Sequence, residues 1–209
     1  NSEVWVNGKL VGSHPYGYTA FYFDISEYLE PAGTPNVIAV KVQNEGRNSR
    51  WYSASGIYRH VWLIKKQAVR IAHNGVFVNT ESISENEAYI SVLATVENST
   101  NDNADVQLQI RIVDADGNVA ALVKTPVKDV QSGTEDVLET IKIPKAKLWS
   151  TDEPNLYTAE VKLVANGDIS DHALTSFGIR TINFDAKSGF TLNGKTVLLK
   201  GVNLQHDNG

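Results

Sequence analysis

The chain has 209 residues, of which 42% are apolar and 21% charged, and this balance excludes a disordered or fibrous protein. Its formal net charge is −5 with scattered Lys and Arg, which argues against a nucleic-acid partner, and no run reaches the roughly 18 apolar residues of a membrane span. There is no cysteine, so disulfides and thiolate sites are excluded, while the compartment, periplasm or cytoplasm, stays open.

Period-2 patterning with β-branched and aromatic residues predicts short strands in the first third of the chain, at 4–6, 20–23, 37–42 and 61–64. Asn7-Gly8 is the signal of a two-residue hairpin turn. Between these strands, 26–29 reads as one helical turn, capped by Ser26 or Asp24. We therefore expect an all-β region with antiparallel strands.

A second series of about seven strands, separated by turns, is typical of an immunoglobulin-like sandwich. Its predicted strands are 75–79, 88–97, 106–113, 119–124, 137–143, 156–164 and 173–183. Two polar segments, 98–103 and 114–118, are predicted as solvent-facing turns. The second has oxygen ligands at alternate positions like a calcium loop, but Thr125 stands where a glutamate is required, so no metal site is predicted.

After residue 184 the pattern changes to a hairpin, with 190–192 and 197–199 joined by Asn193-Gly194 and followed by Gly201-Val202-Asn203. We expect a third unit to begin here. The chain contains no methionine and opens directly on a strand-like run, so we expect both of its ends to be cut.

Three groups of segments together resemble the glycoside hydrolase family 2 β-galactosidases. They are Val4-Trp5-Val6-Asn7-Gly8 with Tyr16-Gly17-Tyr18-Thr19 and Phe23-Asp24-Ile25; Leu148-Trp149 with Pro154-Asn155-Leu156-Tyr157; and Phe177-Gly178-Ile179-Arg180 with Leu192-Asn193-Gly194-Lys195 and Lys200-Gly201-Val202-Asn203. Each is weak alone, and their order and spacing carry the resemblance, which extends over essentially the whole chain.

The resemblance implies an all-β fold class, with a partial jelly-roll sandwich, an immunoglobulin-like β-sandwich and the truncated start of a TIM barrel. The corresponding domains are 1–67, 68–183 and 184–209, the last holding a hairpin and the first barrel strand. Each matched segment also has a plain structural interpretation: Trp149 and Tyr157 as packing anchors, Gly178 as a site of close backbone approach, and Arg180 as an interface residue.

The resemblance also implies a retaining β-glycosidase, whose two catalytic glutamates would lie beyond residue 209. No catalytic residue is therefore assigned in this chain, and the chain is expected to be inactive. We interpret four glutamates as solvated surface charges: Glu81, Glu85, Glu27 and Glu30. Two segments are candidates for substrate contact in the intact enzyme: Arg50 and Trp51 in the loop 47–53, and Asn203, His206 and Asp207 after the first barrel strand. In the second segment Gln205 occupies the usual His position of the family.

No cofactor or metal is expected, and the implied partner is a carbohydrate substrate, with no nucleic acid and no membrane. A homo-oligomer is left open, as is the identity of the β-linked sugar, because galactosidases, glucuronidases and mannosidases share the family pattern. The alternative from another class is a stand-alone carbohydrate-binding or interaction module built from two β-sandwiches.

Overall fold

The computed structural model describes residues 1–45 and 55–202, which are built from β-strands. Within these ranges no α-helix forms, and one 3-10 turn spans Ser26–Tyr28. The predicted all-β class is confirmed. None of the described helical segments is long and apolar enough to cross a membrane. The described residues divide into two compact units, one ending at Leu63 and the other spanning Ile64–Val202.

The first unit contains a three-stranded antiparallel sheet in the order β2-β1-β3. Its strands are β1 (Ser2–Val6), β2 (Lys9–His14) and β3 (Ile38–Val42). Asn7 and Gly8 join β1 to β2 with φ of 50° and 80°, which confirms the predicted turn. Asn7 also fastens the loop that precedes β3, since its Oδ1 accepts from the Val37 N–H at 2.9 Å and its Nδ2 donates to the Tyr28 carbonyl at 2.8 Å.

Two predicted strands of the first region, 20–23 and 61–64, are wrong, since neither segment is in a strand. An alternating pattern makes a strand only where a neighbouring strand accepts its backbone hydrogen bonds. In the first segment, the ring of Phe23 lies against Gly12 of β2. A Cβ added to Gly12 would come within 2.4 Å of this ring. The predicted cap of the 3-10 turn by Ser26 or Asp24 is wrong, because the N-cap residue is Ile25 and no side chain caps it. Asp24 Oδ1 accepts from the N–H and the hydroxyl of Ser26.

The second unit is a sandwich of two antiparallel sheets followed by a small hairpin sheet. The first sheet has the order β4-β5-β9 and the second β11-β10-β6-β7, with β8 paired to β6. The strands are β4 (Val69–Ile83), β5 (Glu87–Asn98), β6 (Ala104–Asp114), β7 (Val119–Lys124), β8 (Lys128–Val130), β9 (Gly133–Pro144), β10 (Tyr157–Ala165) and β11 (Asp168–Phe177).

The core of the sandwich follows directly from period-2 patterning. Every second residue of β5 from Ala88 to Val96 has an exposed fraction of zero, and so have Leu108, Ile110 and Ile112 of β6. These side chains pack together between the sheets. Because each fully buried aliphatic side chain contributes about 1.5–3 kcal/mol, a one-residue slip in register would be costly, and the sequence therefore specifies the pairing strongly.

The polar segment 98–103 is not wholly solvent-facing, and the prediction was wrong at Asn98, which is 1% exposed. Its Nδ2 donates to the carbonyls of Asp102 and Val130, and its Oδ1 accepts from the N–H and the hydroxyl of Thr100. Burial is tolerated because the amide finds partners on both sides. One of those partners lies in β8, a three-residue strand too short for the pattern to reveal.

The predicted strand 173–183 is two strands, because β11 ends at Phe177 and β12 (Ile182–Asp185) begins a separate sheet with β13 (Gly189–Leu192) and β14 (Lys195–Thr196). Phe177-Gly178-Ile179-Arg180 therefore leaves the sandwich rather than forming its last strand. The turn Asn193-Gly194 is confirmed with φ of 50° and 75°, whereas 197–199 is not a strand.

Candidate functional site

The five residues predicted to contact substrate lie outside the described residues. Arg50 and Trp51 fall within 46–54, and Asn203, His206 and Asp207 within 203–209. Their roles stay predictions. The described residues hold two other features that bear on function, an aromatic surface in the first unit and a junction at the end of the sandwich in the second.

The aromatic surface is formed by Tyr16, Tyr18, Phe21 and Tyr58, whose exposed fractions lie between 43% and 57%. The Tyr58 hydroxyl donates to the Gly17 carbonyl at 3.2 Å, which ties the segment after residue 54 to the Tyr16-Gly17-Tyr18 turn. His14 stacks on Phe21 with ring centroids 4.6 Å apart. Exposed aromatic faces of this kind can pack against the apolar face of a pyranose. Tyr16 and Tyr18 belong to one of the motif segments of the sequence, whereas nothing in the sequence indicates that Tyr58 joins them.

The junction is where the second and third motif groups meet, around the indole of Trp149. The backbone N–H of Trp149 donates to the Ile179 carbonyl at 2.9 Å, and the backbone carbonyl of Trp149 accepts from Asn193 Nδ2 at 2.9 Å. Asn193 Oδ1 in turn accepts from the Thr181 N–H at 3.0 Å. Segments separated by some forty residues thus form one hydrogen-bonded unit, the junction cluster of Trp149, Gly178, Ile179, Arg180 and Asn193.

Gly178 allows the backbone at this position to approach the Trp149 side chain closely. A Cβ built on Gly178 would lie 2.7–2.9 Å from Cβ, Cγ and Cδ1 of Trp149, closer than real Cβ atoms approach such neighbours. The predicted close approach at this glycine is confirmed, and its partner is the Trp149 side chain. Any other residue at this position would displace the indole or the strand end.

Arg180 places its guanidinium over the Trp149 ring, 4.9 Å from the centroid. Cation–π attraction of this kind contributes about 0.5–1 kcal/mol at exposed sites. Its backbone N–H donates to Thr80 Oγ1 at 3.3 Å, which joins the junction cluster to β4. No ion pair of Arg180 occurs within 1–45 and 55–202, so the indole is the group that stabilises its charge there.

Further contacts hold Trp149 and the rest of the connection between β9 and β10 in place. Trp149 and Pro154 form an isolated β-bridge, and Asn155 Nδ2 donates to the Leu148 carbonyl at 3.0 Å. The Tyr157 hydroxyl accepts from the Lys147 N–H at 2.9 Å, while its ring stacks on Phe177. These contacts show Trp149 and Tyr157 as packing anchors of the connection between β9 and β10.

Four carboxyl groups of the described residues have a pKa shifted in the direction opposite to that of a general acid. Each of those whose pKa departs clearly from its ordinary value, Glu81, Glu87, Asp114 and Asp185, is shifted downward. Hydrogen bonds from Ser91 and then Asn79 lower the pKa of Glu81, and Lys142 lowers that of Glu87. A catalytic acid of a glycosidase instead has a raised pKa, because it must hold its proton near neutral pH.

The loop 114–118, which carries side-chain oxygens at alternate positions, is held together by its own hydrogen bonds. Asp114 Oδ1 accepts from the N–H groups of Asp116 and Asn118 at 3.0 and 2.8 Å, and the backbone of Asn118 is the largest cause of its lowered pKa. No cluster of three metal-ligating side chains is found among the residues described.

The sandwich that carries the junction cluster matches a known protein family. The model of the family described as "Glycosyl hydrolases family 2" matches residues 69–180, more than half of the chain and all of the sandwich from the start of β4 to Arg180. The chain belongs to the glycosyl hydrolases family 2. The resemblance carried by the motif segments is thereby confirmed.

Individual relatives cover the first unit as well. The chain is 39% identical over its whole length to "Beta-galactosidase BoGH2A" of Bacteroides ovatus, of which it covers 25%, and 34% identical over 97% of its length to a "Putative beta-glucuronidase" of Formosa agariphila, of which it covers 19%. A solved family 2 member from Bacteroides cellulosilyticus aligns with all of the chain at a TM-score of 0.93 and 38% identity, the chain covering 27% of it. The chain thus spans about a quarter of the length of such relatives.

Proposed function

We propose that this chain is the non-catalytic β-sandwich part of a retaining β-galactosidase. The observation that carries the proposal is the 39% identity to a protein named a β-galactosidase, which extends over 100% of the chain while covering 25% of that relative. The whole protein would cleave terminal β-linked galactosides by double displacement, through a covalent glycosyl-enzyme and two carboxyl groups about 5–5.5 Å apart. Both glutamates would lie beyond residue 209.

The proposed division of the chain is a jelly-roll part at 1–67, an immunoglobulin-like sandwich at 68–183, and a hairpin with the first barrel strand at 184–209. A change of unit near the second boundary is supported by the end of β11 at Phe177 and by the separate sheet that begins with β12 at Ile182. In this proposal the sandwich serves as a rigid support from which the barrel begins.

The substrate contacts proposed for the whole protein are Arg50, Trp51, Asn203, His206 and Asp207. An indole packs on the apolar face of a pyranose, and a guanidinium or imidazole donates to its hydroxyls. In the complete enzyme, Trp51→Ala should therefore lower kcat/KM by about tenfold or more, since a lost aromatic contact costs on the order of 1.4 kcal/mol. The matched control is Trp62→Ala, an exposed tryptophan of the same unit, for which kcat/KM should not change.

The choice of galactose is tested by the ratio of specificity constants. Relatives named β-glucuronidases are also similar to the chain, and a glucuronide differs from a galactoside in carrying a carboxylate. The complete protein should therefore have a higher kcat/KM for nitrophenyl β-galactoside than for nitrophenyl β-glucuronide. A preference for the glucuronide would refute the galactosidase proposal and leave the family unchanged.

A second candidate function is favoured by the aromatic surface, namely that the chain binds carbohydrate as a module in its own right. Tyr16, Tyr18, Phe21 and Tyr58 offer exposed rings on one unit. Calorimetry with galactose separates the two proposals: a dissociation constant below about 1 mM, equivalent to roughly 4 kcal/mol, supports the module. Weaker binding supports the galactosidase proposal, because a monosaccharide is then not enclosed by this chain alone.

A further inference from the structure

Ile71 has an unusual backbone environment at the start of the sandwich. It lies on β4, which is at the edge of its sheet, and its side chain is 1% exposed. Ile71 is paired with Val96 of β5. Its backbone N–H and carbonyl point away from β5, toward the unpaired edge of the sheet. An unpaired strand edge must be covered or paired.

Two side chains from distant parts of the chain satisfy both groups. Asp171 Oδ2 accepts from the Ile71 N–H at 2.9 Å, and Lys66 Nζ donates to the Ile71 carbonyl at 2.9 Å. Lys66 and Asp171 also bind each other, with Nζ and Oδ2 2.7 Å apart. The second Asp171 oxygen accepts from the His172 N–H, and Ser170 Oγ donates to the Val69 carbonyl.

Among the ion pairs within 1–45 and 55–202, this one has the least exposed carboxylate. The Asp171 side chain is 11% exposed and that of Lys66 27%, whereas in the pair Lys147–Asp116 the values are 57% and 66%. Surface pairs contribute little, but charge-assisted hydrogen bonds that also satisfy backbone groups are stronger. The contact joins three stretches: the linker before β4, β4 itself, and β11 in the opposite sheet.

We propose that Lys66 and Asp171 form a latch that closes the open edge of β4 at Ile71 and fixes the point at which the chain enters the sandwich. Lys66 lies in the linker itself, so the latch holds the linker as well as the strand. Asp171 positions both partners, because its Oδ2 accepts from the Ile71 N–H and from Lys66 Nζ. The latch does not depend on the activity or sugar specificity of the whole protein.

Hydrogen exchange on the 209-residue chain tests the latch. Asp171→Ala should accelerate exchange of the amides at 66–71 by about tenfold or more, which matches the loss of a charge-assisted hydrogen bond. Amides of β5 between Ile90 and Val96 should change less. Lys66→Met, which keeps the apolar stem, should give a smaller effect in the same region, and the double variant should exceed Asp171→Ala by little because the two residues act together.

Glu160→Gln is the matched control, since it weakens the Arg111–Glu160 pair on β6 and β10 and should leave exchange at 66–71 unchanged. If Asp171→Ala does not fold, the Lys66→Met variant still tests the latch. Unchanged exchange at 66–71 in Lys66→Met, equal acceleration throughout the chain in Asp171→Ala, or fully additive effects in the double variant would each overturn the proposal.

Discussion

Gly178 is the residue at which the junction cluster is most sensitive to change. Its Cα–H faces the Trp149 side chain at a distance that leaves no room for a methyl group. The backbone there is not in the left-handed region, so the requirement for glycine comes from the neighbouring indole and not from φ. Steric fit alone therefore accounts for glycine at this position.

Gly178→Ala should lower the free energy of unfolding by about 1–3 kcal/mol, the usual cost of overpacking a well-packed site. Gly201→Ala is the control, because an added Cβ meets nothing within 4 Å there. Urea unfolding of both variants measures the difference. Equal midpoints for Gly178→Ala and the unchanged chain would show that the indole moves aside without cost.

Glu81 should make stability depend on pH in the acid range. It is the bulge residue of β4, and it accepts from Ser91 Oγ at 2.5 Å and Asn79 Nδ2 at 3.0 Å, which lowers its pKa below the ordinary 4.5. A carboxyl with a lowered folded-state pKa stabilises fully above its unfolded pKa, and this contribution is lost as pH falls through the folded pKa.

Between about pH 5 and about pH 3, Glu81→Gln should therefore lose less stability than the unchanged chain. Ser91→Ala, which removes the first donor, should also flatten the dependence. Urea midpoints measured at several pH values test this, and parallel pH profiles for all three proteins would contradict it.

The small three-stranded sheet of β12, β13 and β14 is attached to the rest of the second unit through Asn193. This residue holds φ at 50° in the turn and makes hydrogen bonds to both Trp149 and Thr181. Three strands of four, four and two residues bury little apolar area of their own, so we expect the hydrogen bonds to Trp149 to contribute to their stability. Leu192 of β13 is 5% exposed, so this small sheet holds a buried apolar side chain.

Asn193→Gly keeps the turn geometry but removes both side-chain hydrogen bonds, so exchange of amides in β13 should accelerate while amides in β5 and β10 do not change. Asn166→Gly is the matched control, since Asn166 has the same φ in the β10–β11 turn and accepts from the Asp105 N–H instead. Acceleration in β13 by both variants, or by neither, would contradict a docking role for Asn193.

The strands of the sandwich were predictable because their side chains alternate over a buried core, as in β5 and β6. The predictions failed where residue type does not determine strand pairing: 20–23 and 61–64 have strand-forming residues but no strand neighbour, and β8 is too short to show a pattern. Asn98 was misplaced because its polarity says nothing about the carbonyls that enclose it. The junction cluster was predictable only as separate motifs, since residues 149 and 193 meet through the tertiary fold.

At the scale of the molecule, the second unit has the features of a self-sufficient domain and the first has few of them. The sandwich buries apolar residues on both sheets, whereas Val6 is the buried apolar residue among those described up to residue 63. The first unit should therefore unfold first. In a urea titration, amides of β1 to β3 should lose protection at a lower concentration than those of β5 and β6. A single transition shared by both units would contradict this.

The central claim, that this family 2 chain supports catalysis without performing it, is tested most directly by nitrophenol release from nitrophenyl β-galactoside. The isolated chain and the complete protein are compared at equal molar concentration. The complete protein should turn over, and the chain should give the rate of a protein-free control, because the proposed function puts both catalytic carboxyl groups beyond residue 209. Release by the chain above that control, persisting through repurification, would contradict the claim.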